Sequence, residues 1–135
     1  HKERGITMTA LSNFLENKVL DHTTGTTSYT APTDVYLALF TTDPTDSDTG
    51  TEVSGGGYGR KTITFASASG GSISSNAAVS WTASGANFGD VSHIGIYDAS
   101  TGGNLLYHTA LGSTKTVNDG DTIEFATGDV TISLD

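Results

Sequence analysis

The chain has 135 residues, enough for one domain with its own core and too few for a second of ordinary size. It contains no cysteine, which excludes disulfides, thiolate metal sites and thiol nucleophiles together. Fifteen acidic residues against six scattered basic ones give a net charge of −9, so nucleic acid is not expected as a partner, and no apolar run is long enough for a membrane helix.

Residues 1–7, "HKERGIT", precede the first methionine and read as an N-terminal arm outside the pattern of a single β-rich domain over 8–135. A frayed end is the plainer expectation for this arm; a basic tether to a neighbouring acidic subunit is the other. "TALSNFLENKVLDH" predicts the one helix, over residues 9–21, with Thr9 as N-cap and Leu11, Phe14, Leu15 and Val19 on one apolar face. A helix of about three turns is marginal in water, so that face has to dock on something.

From residue 34 onward the chain reads as strand and turn. "DVYLALFTT" is apolar on both faces, Val35, Leu37 and Leu39 alternating with Tyr36, Ala38 and Phe40, which suits a strand covered on two sides. "KTITF" places Ile63 and Phe65 on one face, and "NAAVSW" groups Ala77, Val79 and Trp81. "VSHIGIYD" sets Ile94 and Ile96 against Val91, His93 and Tyr97, and the turn "DASTGGN" joins it to "NLLYHTAL" as a hairpin. "DTIEFA" and "DVTISLD" close the chain with Ile123, Phe125, Val130, Ile132 and Leu134 inward. The pattern predicts a mainly β fold, an antiparallel β-sandwich or barrel of about seven or eight short strands with one N-terminal amphipathic helix.

The stretch "EVSGGGYGRKTITF" approaches a phosphate-binding loop, but Arg60 stands where the second glycine belongs. A strand, not a helix, follows Lys61, so no helix N-terminus is available to hold a phosphate. The glycines read as structural and no cofactor is expected. "TDPTDSDTGTE" collects Asp43, Asp46, Asp48 and Glu52, oxygen ligands of the kind calcium takes, although Gly50 breaks the EF-hand spacing. A solvated acidic loop is the plainer reading. His93 and His108 lie on adjacent predicted strands, where cross-strand packing is plainer than a two-ligand metal site. Ser92 and His93 alternate along a strand and are expected on opposite faces, so they offer no catalytic dyad, and no paired carboxylates stand out. No enzyme is expected.

"ALSNFLENKVLDH", "SYTAPTDVYLALFTTDPTD", "GTEVSGGGYGR", "VSHIGIYDASTGGNLLYHTAL" and "KTVNDGDTIEFATGDVTISLD" together resemble a family of small bacteriophage structural proteins commonly labelled tail fibre proteins. The resemblance runs from Met8 to Asp135 and brings no catalytic or ligand signature. It implies a virion component on the particle surface, made in the bacterial host cytoplasm, with itself and other tail or capsid proteins as partners. Three roles follow as candidates: a self-associating tail-fibre or appendage module, a capsid decoration (cement) protein, and a carbohydrate-binding adhesin domain. A closed homotrimer is expected before a two-fold assembly. Leu11, Phe14, Leu15, Val19, Tyr36 and Phe40 are the assembly-interface candidates. Tyr58, Trp81 and Phe88 are the candidates for contact with a host surface glycan.

Overall fold

The structure, a computed structural model, describes residues 2, 3 and 5–134. In chain order these form β1 (Lys2–Glu3), β2 (Ile6–Met8), β3 (Ala10–Leu11), α1 (Asn13–Thr23), β4 (Val35–Phe40), β5 (Lys61–Ile63), β6 (Ser72–Ser74), β7 (Val79–Thr82), β8 (Gly89–Tyr97), β9 (Leu105–Val117), β10 (Thr122–Phe125) and β11 (Val130–Ser133). The fold is mainly β with one short helix near the N-terminus, as the alternation predicted.

One layer is a five-stranded antiparallel sheet in the order β3-β9-β8-β4-β5. The other consists of two three-stranded sheets, β1-β10-β7 and β2-β11-β6, which are successive halves of one kinked layer. Register makes this plain. Lys2 lies opposite Glu124 and Ile6 opposite Val130, so β1 and then β2 run beside β10 and then β11 in the same direction. Residues 72–82 run back along the other side, Ser74 opposite Thr131 and Thr82 opposite Thr122. "DTIEFA" and "DVTISLD" are thus consecutive stretches of one bent path. The two pairs β1–β10 and β2–β11 are parallel, a departure from the all-antiparallel expectation.

The main core lies between the layers. Ile6, Met8, Trp81, Ile123, Phe125 and Val130 meet Leu37, Leu39, Ile63, Val91, Ile94 and Ile96, all within a single buried cluster. β8 departs from simple alternation: a bulge between Val91 and His93 brings Val91 onto the same side as Ile94 and Ile96. A second, smaller cluster of Ala38, Phe40, Tyr97 and Leu105 forms on the opposite face of the five-stranded sheet. β4 is therefore covered on both sides, as its two-faced sequence indicated. Gly95 borders this second cluster: an added Cβ would come within 2.8 Å of Leu105 and 3.1 Å of the Phe40 ring.

Four expectations need correction. The helix starts at Asn13, and its N-cap is Ser12 rather than Thr9: the Ser12 hydroxyl accepts from the Leu15 amide and donates to the Leu105 carbonyl. That second bond ties the cap to β9, which Thr9 has no means of doing. The described part of the arm is not frayed, because β1 and β2 each add a parallel edge strand and Ile6 and Met8 are buried. The tether reading rests on Lys2 and Arg4, and Arg4 lies outside the described residues. Ala77 and Leu134, expected inward, are exposed, each lying beyond the end of its strand.

Candidate functional site

The acidic stretch 41–52 is fastened at four points to the strands and turns around the second cluster. Asp48 accepts a 2.5 Å hydrogen bond from the Tyr97 hydroxyl. An oxygen of Asp46 lies 2.7 Å from Nε2 of His108, and one of Asp43 lies 4.0 Å from Nε2 of His93. Glu52 receives both Nε and Nη2 of Arg60 at 3.0 Å and the Tyr58 hydroxyl at 2.6 Å. The four candidate calcium ligands thus each face different partners, and no group of three metal-ligating side chains occurs among the described residues.

Arg60 is the centre of this arrangement. Its side chain is only 8% exposed. Besides its two-pronged contact with Glu52, Nη1 donates to the carbonyls of Ala99 and Gly102, and the guanidinium lies 3.5 Å from the centroid of the Tyr97 ring. Burial works against the guanidinium charge, but the hydrogen bond and charge of Glu52 outweigh it, so the Arg60 pKa lies above its ordinary value. Burial, then the bond to Glu52, pushes the Tyr58 phenol far above the usual range; burial, then the bond to Asp48, does the same for Tyr97.

The glycine run supplies the turn that returns Arg60 to Glu52. Gly55, Gly56 and Gly57 all have positive φ, and a Cβ on Gly56 would lie 2.7 Å from the Ala86 carbonyl and 3.0 Å from Phe88. Sequence reasoning treated Arg60 only as the residue that spoils a phosphate loop. The available signal was an arginine eight positions after a glutamate, across a run of three glycines.

His93 and His108 do not meet. They stand opposite Ala110 and Gly95 respectively, and each turns to a different aspartate of the acidic loop. Ser92 and His93, expected on opposite faces, are brought together by the β8 bulge, with Oγ 2.8 Å from Nδ1. The 4.0 Å gap from His93 to Asp43 exceeds a hydrogen bond, so the histidine lacks the third group that orients a catalytic base.

The glycan-contact candidates are largely internal. Trp81 and Phe88 are buried core residues, and Tyr58 packs between them, 6.2 Å from one ring and 5.8 Å from the other. Among the interface candidates, Leu15 and Phe40 are buried within the chain, whereas Leu11, Phe14, Val19 and Tyr36 are half-buried. Missed by the helical-face argument was Leu20, which is 60% exposed. It borders a shallow hollow of about 460 Å³ with Leu11, Val19, Glu16 and Asn17. A second, more polar cleft of about 370 Å³ opens where the helix N-terminus meets the acidic loop, lined in part by Asn13, Phe14, Asp46, Ser47, Asp48 and Asn104.

Residues 10–133 match the protein family described as podophage GP4 fiber I protein gp80. The chain belongs to this family. It is a bacteriophage structural fibre protein, and the family implies a place in the virion. A search of curated proteins finds no match.

Proposed function

We propose that this chain is a self-associating, non-enzymatic module of a tail fibre or related appendage, forming a closed oligomer, three-fold before two-fold. The observation that carries the reading is the apolar helix surface: Leu20 stands 60% exposed beside Leu11 and Val19 on a chain of net charge −9. A fibre protein offers a use for such a surface, and the fibre named in the family description favours an appendage over capsid decoration. In this reading other virion proteins hold the module on the particle.

Contact with a host glycan falls to the polar cleft rather than to Trp81 or Phe88. There Asn13, Ser47 and Asn104 supply hydrogen-bonding groups beside the Phe14 ring, the combination that suits a polyhydroxyl ligand.

Two measurements test the reading. Antibody-gold labelling of parent particles is expected on tail appendages; label spread over the head would replace the fibre role with decoration. Sedimentation of the purified chain is expected to give a closed oligomer that Leu20→Glu dissociates without loss of folded structure. A wild-type monomer across the micromolar range would remove self-association.

A further inference from the structure

The outermost ribbon of the kinked layer, residues 2–8, is joined to the rest of the fold in an unusual way. It pairs with β10 and β11 through main-chain contacts to residues more than a hundred positions away, and it contributes Ile6 and Met8 to the core. A single residue, Thr9, then connects β2 in one layer to β3 at the edge of the other. The same ribbon lies upstream of the family match, which begins at residue 10. Without it, the edge of β10 and β11 and the apolar slot that receives Ile6 and Met8 would stand open.

We propose that in the assembled fibre this ribbon is exchanged: residues 2–8 of one copy occupy the β10–β11 edge of the next. The inference rests on the self-association proposed above. The exchanged and self-paired forms make identical strand contacts, so they differ only in the connection at Thr9 and in the local concentration of acceptor edges. A one-residue link that must switch layers invites exchange, because straightening it joins β2 to β3 in one extended strand. Copies held side by side raise the effective concentration of the neighbour's edge to about the millimolar range. Charge agrees with this occupant. In sequence the segment 2–8 holds two basic residues and one acidic one, while the remainder of the chain is strongly acidic, so a second copy presents the same acidic body to it.

The absence of cysteine makes the test direct. Thr7 and Thr131 are register partners across the β2–β11 pair. Thr7→Cys with Thr131→Cys in the full chain is oxidised, and bridged with a short bis-maleimide if oxidation links nothing. The products are run on a denaturing gel without reductant, while sedimentation reports the native mass. Exchange predicts that most of the monomer band shifts to whole-number multiples of the chain mass, with neither single variant doing so. A native oligomer whose cross-link stays within one chain overturns exchange and leaves self-association standing. A native monomer with an internal cross-link overturns both.

Discussion

One guanidinium joins three segments of the chain: Arg60 holds Glu52 at the end of the acidic loop, the carbonyls of Ala99 and Gly102 in the β8–β9 turn, and the face of Tyr97. Removing one partner of a largely buried pair leaves the other charge without compensation. Arg60→Ala is therefore expected to destabilise the chain by about 3 kcal/mol in urea unfolding, and Arg60→Lys to recover only part of this, because an ammonium lacks the planar fork. The tyrosines beside it give a second prediction. Tyr58 and Tyr97 hold their protons in the folded state to higher pH than in the unfolded chain. The native state then binds more protons above the ordinary phenol pKa of about 10, so stability falls as pH rises past that value and neither group contributes such a slope below it. Alkaline unfolding curves should show the fall, and Tyr97→Phe should make it shallower. Little of this was legible in sequence. The glycine run was rightly read as structural, but an ion-pair partner depends on where a turn returns the chain, and residue types do not encode that.

At the scale of elements, the start of α1 is set by its N-cap. Ser12 is 2% exposed and satisfies both the Leu15 amide and the Leu105 carbonyl. Ser12→Ala should cost about 2 kcal/mol by thermal or urea unfolding, at the upper end of cap losses because it also orphans a carbonyl. Thr9→Ala should stay within about 0.5 kcal/mol. The sequence pointed to Thr9, the hydroxyl residue just ahead of Leu11 and the apolar face, because the bond that fixes Ser12 as the cap is made to Leu105, far along the chain. The seven strand runs with hydrophobic alternation were all legible, from "DVYLALFTT" to "DVTISLD". β1, β2, β3 and β6 were not: each has two or three residues, too few to show a period, and they exist as strands because a longer neighbour accepts them.

For the whole molecule, the pairings that close the sandwich are distant ones, β1 with β10, β2 with β11 and β3 with β9. Such a topology should refold on the order of milliseconds to seconds rather than microseconds. Trp81, the only tryptophan, is 2% exposed and donates to the Gly59 carbonyl beneath the glycine turn. Its fluorescence in stopped-flow refolding measures that rate, and a microsecond phase with full amplitude would contradict the topology argument. Fold class was readable because alternation and turn spacing are local. The division into a five-stranded layer and a kinked three-ribbon layer was not, because it depends on parallel pairing between the two ends of the chain.

The outer strands of this sandwich are very short: β3 has two residues, while β5 and β6 have three each. Long bare edges are where β proteins template one another into fibrils. Each of these three strands offers only two or three residues of edge, so a neighbouring copy that pairs there finds a short frame for sheet growth.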